Sequence, residues 1–329
     1  MYKTFYQLAR NPFDLTPDPV CFVPTSRHNE ALAALYHGVR NHKGFIVVTG
    51  EVGTGKTLLL RCLINVLKDS QDINFAYVFN GRLSPTEFLQ YILADFGLNV
   101  AGKNKYELLL DMGRFLVSRA ENKMTTALIV DEAHHLSEDI LEEVRLLSNL
   151  ETSSDKLLQI VLVGQPELDE KLDSVKLRQL KQRIAVRTSL RALSHEETKE
   201  YIIWRLRVAG DGQRPDPLFP QESISSIYRY SGGLPRVINT ICENSLIAAY
   251  VNQLPCVTAE IVEEVAQEFR LDKVTRIDEQ VKIEPDKVDI RRAMDTLLEW
   301  ISVRRPSGGS VVGQAGWETL QESKHEPYI

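Results

Sequence analysis

The sequence predicts an α/β fold, in which a five-stranded parallel sheet is flanked by helices and followed by a small all-helical domain. Three observations carry this prediction. Short β-branched apolar runs alternate with helix-length segments from Phe45 to Leu190, as in a parallel sheet covered on both faces. A glycine-rich turn follows the first run directly. After Leu193 the pattern changes to helical segments alone.

Size and composition limit the class of protein. The 329 residues, 43% of them hydrophobic, suffice for one large domain or two modest ones. A net charge of -6 argues against binding of polyanions by bulk electrostatics. The four cysteines form no C-x-x-C pair, which favours a reduced, cytoplasmic protein. The N-terminal residues lack the features of a signal peptide, and no apolar run approaches the ~18 residues of a membrane span.

The N-terminal segment is rich in proline. Pro12, Pro17, Pro19 and Pro24 lie within residues 1–24, and proline disfavours helical geometry at the residue before it. We therefore predict an extended arm over residues 1–24. The first helix of the core is predicted to start with Ser26 as its cap and to end at Gly44.

The glycine-rich turn fits the phosphate-binding pattern G-x-x-x-x-G-K-[ST] at every fixed position. An apolar run, Phe45–Thr49, precedes it and a predicted helix, Leu58–Leu67, follows it. Glycines allow backbone N–H groups to surround an anion at the positive end of a helix. The predicted nucleotide-binding residues are Gly50, Glu51, Val52, Gly53, Thr54, Gly55, Lys56, Thr57 and Leu58.

The rest of the core alternates strands and helices. Ser84–Glu87 is a capping box with proline at the first helical position, and a further helix begins near Lys105. The four later strands are predicted at Ile73–Phe79, Thr126–Asp131, Leu157–Val163 and Ile184–Leu190.

A helical domain follows. Ser194–Glu197 is another capping box, Pro235 begins a later helix, and Thr258 caps the last one. The predicted organisation is therefore an arm at 1–24, a nucleotide-binding core at 25–193, a helical lid at 194–272 and a charged C-terminal extension at 273–329. The extension is predicted to contain an amphipathic helix around Met294–Ile301 and a disordered tail.

An acidic pair, Asp131–Glu132, stands at the end of an apolar strand. In a phosphate-loop site, Asp131 and the hydroxyl of Thr57 are predicted to hold Mg²⁺, and Glu132 to deprotonate the attacking water. Asp131 to His134 also spells a helicase-like box, but the chain has room for only one motor core. His134 and His135 are adjacent, so on a helix they point different ways; we interpret them as loop or helix-start residues and not as joint metal ligands.

Three further polar residues are candidates for the site. Gln165 follows the fourth strand, where its side chain can help place the water; the alternative is a turn-forming glutamine. Arg236 begins a lid helix in Gly232–Arg236 and is predicted to sense the γ-phosphate. Arg183 precedes the fifth strand and is predicted to enter a neighbouring subunit's site as an arginine finger.

A basic run, Lys176–Arg191, holds six cations and no acidic residue. A solvated basic face is the usual structure for such a run. Binding of nucleic acid or of another subunit is the alternative.

Taken together, Gly50–Thr57, Asp131–Glu132, Gln165, Arg183 and Gly232–Arg236 resemble the motifs of an AAA+ P-loop ATPase. Within that superfamily, residues 1–270 are most similar to the general secretion pathway protein A (ExeA-like) family. The segments that carry this similarity are Tyr2–Tyr6, Asn11–Phe13, Thr16–Asp18, His28–Leu32, Gly44–Ile46, Leu158–Ile160, Gly164–Leu168, Leu180–Ile184 and Gly233–Val237.

The resemblance implies a Mg²⁺-dependent ATPase with ATP as its cofactor. By that likeness Lys56 binds phosphate, Asp131 and Glu132 form the Walker B pair, Gln165 is the first sensor, Arg183 the finger and Arg236 the second sensor. The segment Asn11–Phe13 would help to cover the adenine.

The resemblance also implies a biological setting. Members of the family energise secretion, pilus or exopolysaccharide machinery, so secretion or envelope-assembly proteins are the expected partners. The AAA+ arrangement that the chain resembles also implies a homo-oligomer with sites shared between subunits. Its expected location is the cytoplasm or the inner face of the membrane. A membrane span and a peptidoglycan-binding domain, frequent in secretion members, are not predicted here. An ATP-dependent DNA-binding regulator of transposition is the alternative function.

Overall fold

The computed structural model describes residues 1–79, 83–152, 155–210 and 217–271. The amphipathic helix and tail predicted within 273–329 lie outside these ranges. Five parallel strands form one sheet in the order β2-β3-β4-β1-β5, which confirms the predicted sheet. The strands are β1 (Phe45–Gly50), β2 (Ile73–Val78), β3 (Thr125–Val130), β4 (Gln159–Gly164) and β5 (Ile184–Leu190).

The three central strands are buried along their whole length, as their β-branched sequences require of a sheet covered on both faces. Helices pack on both sides of the sheet and define two separate hydrophobic clusters. The core helices are α2 (Ser26–Arg40), α3 (Lys56–Asp69), α4 (Pro85–Asp95), α5 (Lys105–Glu121), α6 (Glu138–Leu147), α7 (Glu167–Leu172) and α8 (Arg178–Lys181).

The carboxyl ends of parallel strands meet at one edge of the sheet, where ligands bind in open α/β folds. The glycine-rich loop follows β1, the acidic pair follows β3, and Gln165 follows β4. β3, β4 and β1 are neighbours in the sheet. The strand order therefore brings these three segments together.

Within the described residues, four helices follow the sheet and share a third hydrophobic cluster; we call them the lid. The capping box predicted at Ser194 is present, with reciprocal bonds between Ser194 and Glu197. Pro235 is the first residue of its helix and Thr258 caps the last one, as predicted. The lid helices are α9 (His195–Ala209), α10 (Gln221–Ser231), α11 (Pro235–Val251) and α12 (Ala259–Glu268).

Residues 1–24, which we call the arm, differ from the extended segment that prolines predict. Residues Tyr2–Phe5 form a short helix, α1, and Pro19–Cys21 form a 3-10 turn. Tyr6 and Phe13 are fully buried within the lid cluster. Burial of these aromatic rings supplies the free energy that orders the arm, because each removes a large apolar area from water.

The start of α2 also differs from the prediction by one residue. The cap is Thr25, whose hydroxyl oxygen accepts a hydrogen bond from the N–H of His28, and Ser26 is the first helical residue. The helix ends at Arg40, before the predicted end at Gly44. Thr25 and Ser26 both bear a hydroxyl group, so the sequence pattern alone does not decide which of them caps the helix.

Candidate active site

The glycine-rich loop is shaped to surround an anion. Gly53 and Gly55 have positive φ angles of 83° and 98°, which residues with a Cβ rarely adopt. Gly55 is the residue before α3, whose first helical residue is Lys56. The N-terminal N–H groups of α3 therefore face the interior of the loop, where helix dipole and donors together favour phosphate.

Lys56 is buried beneath this loop. Its Nζ donates hydrogen bonds to the carbonyl oxygens of Gly50, at 2.7 Å, and Glu51, at 2.9 Å. Burial is the main influence on this ammonium and lowers the pKa of Lys56, while the nearby carboxylates of Glu132 and Asp131 raise it. A buried cation held by neutral carbonyls fits a polyphosphate, which would supply the missing negative charge.

Asp131 lies at the end of β3 and faces the start of α3. Its Oδ2 accepts hydrogen bonds from the Thr57 hydroxyl at 3.2 Å and from the Tyr77 hydroxyl at 3.3 Å. Burial raises the pKa of Asp131, and its hydrogen bonds oppose that rise. A carboxylate and a hydroxyl this close offer the oxygen ligands that Mg²⁺ takes. The residues present therefore fit a nucleotide with its magnesium ion.

Glu132 occupies a strained backbone position beside this pair. Its φ angle is 51°, in the left-handed region, although it is not glycine. Its side chain is 38% exposed. The Nε2 of Gln165 lies 3.5 Å from Oε2 of Glu132, so the strand order brings together the two residues that the sequence predicted for placing and deprotonating water.

The two histidines differ from the prediction that they point different ways. Residues Ala133–His135 form a 3-10 turn, not the start of an α-helix, and the two imidazole rings lie 4.0 Å apart between centroids. The Nδ1 of His134 lies 3.4 Å from Oε2 of Glu132. The tighter turn swings the rings to one side, which a helical wheel does not foresee.

Arg236 lies where α11 meets the glycine-rich loop. Its backbone N–H donates to the carbonyl oxygen of Gly53 at 3.2 Å, and a Cβ added to Gly53 would lie 3.0 Å from the Cβ of Arg236. The residue is exposed. The first turn of α11 thus contacts the loop directly, so a movement of the lid would change the conformation of the loop.

Arg183 lies far from the site of its own chain. It precedes β5, whose first residue pairs with Phe45 at the start of β1, while the loop follows the other end of β1. Six strand residues separate these ends by roughly 20 Å. The Arg183 guanidinium donates to the hydroxyl of Ser148 at 2.7 Å, at the end of α6.

The basic run Lys176–Arg191 is less cationic in three dimensions than in sequence. Three of its cations form ion pairs with acidic side chains from outside the run: Lys176 with Glu138, Lys181 with Asp173, and Arg187 with Asp169. The predicted basic face for nucleic acid is therefore partly neutralised by acidic residues that lie outside the run.

The segment Asn11–Phe13 packs on the lid. Phe13 is fully buried in an edge-to-face contact with Phe219, and the Asn11 amide donates to Glu243 at 3.0 Å. The Phe13 ring is thus part of the lid core, and its role in covering an adenine stays a prediction.

Sequence reasoning missed two residues that hold the site. Tyr77 contacts Asp131, as described above. His28 on α2 is buried, with Nε2 lying 3.0 Å from the carbonyl oxygen of Thr54 and Nδ1 lying 2.7 Å from the hydroxyl of Thr25. Burial lowers the pKa of His28, which favours the neutral ring. For His28, the available signal in the sequence was a polar residue on the apolar face of α2.

Comparison with known proteins supports the assignment of the fold. A family model described as an AAA domain matches residues 39–172. General secretion pathway protein A from Aeromonas hydrophila is 44% identical over 252 residues, which make up 76% of this chain and 45% of that protein. The chain therefore spans less than half the length of this curated relative.

Several solved structures share the fold at low sequence identity. The Drosophila ORC bound to DNA has a TM-score of 0.61 at 20% identity and covers 97% of this chain and 83% of its own. Cdc6p from Pyrobaculum aerophilum has a TM-score of 0.58 at 18% identity and covers 94% and 88%. The Aeropyrum pernix ORC2 protein, with ADPNP and ADP, has a TM-score of 0.56 at 18% identity and covers 79% and 72%. At these identities the similarity concerns the fold alone.

Proposed function

We propose that the chain hydrolyses ATP in a Mg²⁺-dependent reaction and couples this reaction to a secretion, pilus or exopolysaccharide export system. The proposal proceeds from its membership of the AAA+ P-loop family and from its similarity to general secretion pathway protein A over 76% of this chain. The single observation that carries the catalytic part is the meeting of the Lys56 loop, the Thr57–Asp131 pair and the Glu132–Gln165 pair at one edge of the sheet.

The loop residues bind the polyphosphate. Backbone N–H groups of the loop and of the first turn of α3 donate to phosphate oxygens, and Lys56 exchanges its carbonyl partners for the β- and γ-phosphates. Thr57 and Asp131 would hold Mg²⁺, which on binding neutralises charge on the phosphates. The hydrogen bond from Tyr77 orients the Asp131 carboxylate toward that position.

Glu132 is the proposed general base. It lies beside the phosphate loop with a partly exposed carboxylate, so it can accept a proton from a water molecule aimed at the γ-phosphate. Gln165 is within reach of the same carboxylate and is proposed to orient that water. Both residues act by placing the nucleophile, because phosphoryl transfer depends on position and charge stabilisation more than on covalent chemistry.

The lid responds to the nucleotide through Arg236. Its exposed guanidinium has no ion pair or hydrogen bond among the residues that the structure describes, and its backbone already contacts Gly53. We assign it the role of reaching the γ-phosphate, so that the phosphate's loss changes the angle between lid and core. Arg183 is assigned to the site of a neighbouring subunit in a homo-oligomer.

The setting in secretion is supported by the relative's name alone. No helix in the described ranges is long and apolar enough to span a membrane. We propose a cytoplasmic location or a peripheral one at the inner face of the membrane, where a nucleotide-driven protein can act on an export machine.

The experiment for this setting uses the organism that encodes the chain. Deletion of the gene is expected to abolish export of the secreted protein or polymer encoded nearby. The wild-type gene should restore export, and the Glu132→Gln gene should not, although its product accumulates equally. Export that is unchanged by the deletion would contradict the proposed setting.

A DNA-binding regulator of transposition is the alternative function, since the basic run remains a candidate nucleic-acid surface. Binding through such a surface would weaken steeply with salt, through counterion release. A gel-shift series that shows tight, ATP-dependent and salt-sensitive DNA binding, weakened by Arg178→Ala together with Arg191→Ala, would favour this alternative. The partial neutralisation of the run by Glu138, Asp169 and Asp173 argues for weak binding.

A further inference from the structure

Three side chains that can bind a metal ion stand together beside the phosphate site, and the two histidines among them have no part in the reaction proposed above. Glu132, His134 and His135 each offer one ligand atom, and these atoms all lie within 4.8 Å of one another. Two of them are closer: Nδ1 of His134 and Oε2 of Glu132 are 3.4 Å apart. Two ligands at ~2.0–2.1 Å from one tetrahedral metal ion are separated by about 3.3 Å.

The turn that carries the cluster is held in place from outside. The Nζ of Lys171 on α7 donates to the carbonyl oxygens of His134, at 2.6 Å, and Leu136, at 2.8 Å. The N–H of Gln165 donates to Nδ1 of His134 over a long 3.3 Å, a weak bond that a metal ion would replace. The backbone is therefore ordered before any ligand arrives, which lowers the entropic cost of binding.

Access to the cluster is open on one side. The His134 side chain is 7% exposed and the Glu132 side chain 38% exposed, and His135 is exposed. A metal ion can thus reach the cluster from solvent and retain a water molecule as its fourth ligand, as ions do at sites with three protein ligands.

The ligand set selects the kind of metal. Two imidazoles and one carboxylate suit zinc and its transition-metal neighbours, whereas Mg²⁺ prefers oxygen ligands and keeps its water. The Thr57–Asp131 pair, with two oxygen ligands, is the position suited to Mg²⁺. The two groups of residues therefore suit different metal ions and share no side chain.

We propose that Glu132, His134 and His135 form a binding site for a divalent transition-metal ion of the zinc class, and that occupation of this site inhibits ATP hydrolysis. Inhibition follows because a carboxylate bound to a metal ion no longer accepts a proton from water. The inhibitory part rests on the proposed role of Glu132 as the base. The binding part stands on the geometry of the cluster alone.

The first experiment measures binding without nucleotide. Co²⁺ is titrated into the full chain, and its visible absorption reports four-coordinate binding; Zn²⁺ is then added to displace it. One ion per chain is expected for the wild type, with affinity at least about tenfold lower in His135→Ala. Equal affinity of wild type and His135→Ala would overturn the site.

The matched control is His195→Ala. His195 also lies within hydrogen-bond range of a carboxylate, that of Glu196, at 3.3 Å, but outside the cluster. This variant should bind Co²⁺ as the wild type does. A loss of binding in His195→Ala equal to that in His135→Ala would also count against the cluster, because it would indicate general histidine binding. Alkylation of the partly exposed Cys256 beforehand removes its thiol as a competing ligand.

The second experiment measures hydrolysis at buffered free Zn²⁺ and constant Mg²⁺–ATP. The rate of ATP hydrolysis by the wild type should fall at least about tenfold and recover when a chelator is added. His135→Ala should keep its rate at the same Zn²⁺ concentration, with Zn²⁺-free activity close to that of the wild type. Equal inhibition of both proteins would overturn the inhibitory role. The chain could bind Co²⁺ as expected and yet hydrolyse no ATP even in zinc-free buffer. That result would contradict the proposed function and leave the metal site supported.

Discussion

At the scale of single residues, the site depends on two side chains that act in their charged forms although burial disfavours those forms. Lys56 and Asp131 are both largely buried. Burial lowers the pKa of Lys56 and raises the pKa of Asp131, which favours the neutral form of each side chain. Nearby carboxylates, Asp131 among them, oppose the fall in the pKa of Lys56, and hydrogen bonds from Thr57 and Tyr77 oppose the rise in the pKa of Asp131. A nucleotide with its magnesium ion would add both missing charges at once, so binding relieves two desolvation costs together.

We expect Glu132→Gln to retain nucleotide binding and lose turnover by about 10²- to 10⁴-fold, the range that a general base contributes. Glutamine keeps the shape of the side chain and the contact with Gln165 but accepts no proton. Phosphate release and fluorescence titration with a labelled nucleotide measure the two effects separately.

Lys56→Ala is the comparison variant for that measurement. It removes the buried cation of the loop, so it should weaken nucleotide binding itself rather than the rate of the bound state. Wild-type turnover by Glu132→Gln would show that another group accepts the proton.

At the scale of elements, the joint between core and lid is built from very close backbone contacts. The N–H of Leu193, at the end of the core, donates to the carbonyl oxygen of Gly233 at 2.8 Å. A Cβ added to Gly233 would lie 1.9 Å from the carbonyl oxygen of Leu193, and the φ angle of Gly233 is +75°. Glycine is required here both for space and for backbone conformation.

Gly233→Ala should therefore destabilise the protein by about 2 kcal/mol or more, because the new methyl group collides with backbone and the left-handed conformation becomes strained. Urea unfolding of the full chain measures the change. The turn joins α10 and α11, so loss of the joint should also weaken the contact between Arg236 and Gly53 and raise the KM for ATP.

Gly113→Ala provides the control for this prediction. Gly113 lies within α5, and an added Cβ would meet nothing within 4 Å. Alanine in a helix interior is favoured over glycine by roughly 0.5–1 kcal/mol, so this variant should be slightly more stable than the wild type. Equal effects of the two substitutions would contradict the contact at the joint.

At the scale of the whole molecule, the arm ties the lid to the core. Arg205 of α9 is buried and donates to the carbonyl oxygens of Pro12 and Asp14, and Arg61 of α3 contacts the carbonyl oxygen of Pro17. Beyond Thr25 the chain enters α2, which supports the phosphate loop through His28. The arm thus packs on the lid at one end and leads at the other into α2, which contacts the phosphate loop.

The proposed oligomer gives a mixing prediction. Arg183→Ala and Lys56→Ala should each be nearly inactive alone, because a finger in trans can contribute ~10³-fold or more in rate. A mixture should regain ATPase activity at junctions that pair an intact loop with an intact Arg183. Activity per subunit of the wild type should also rise with protein concentration.

Sedimentation of the mixture in the presence of ATP is the control, because it shows whether the two variants assemble together. A mixed assembly without activity would contradict sharing of the site between subunits. So would full activity of the wild type at a dilution where only monomers sediment.

The sequence by itself determined the parts of this protein that depend on short-range chemistry. The five strands follow from runs of β-branched residues, the lid helices begin at predicted caps such as Ser194 and Thr258, and the phosphate loop needs only its own glycines and lysine. The positions of Asp131 and Gln165 directly after apolar strands also predicted that both act at the phosphate site of Lys56.

The tertiary structure alone decided the features that depend on residues distant in the chain. The partners of Lys176 and Arg187 come from α6 and α7, so the charge of the basic run was not visible locally. The arm folds because its aromatic rings meet an apolar lid surface. The turn at His134 is stabilised by Lys171, which donates to the carbonyl oxygens of His134 and Leu136. Local pattern specifies what a segment prefers, whereas packing and pairing free energies from the rest of the chain decide where its side chains lie.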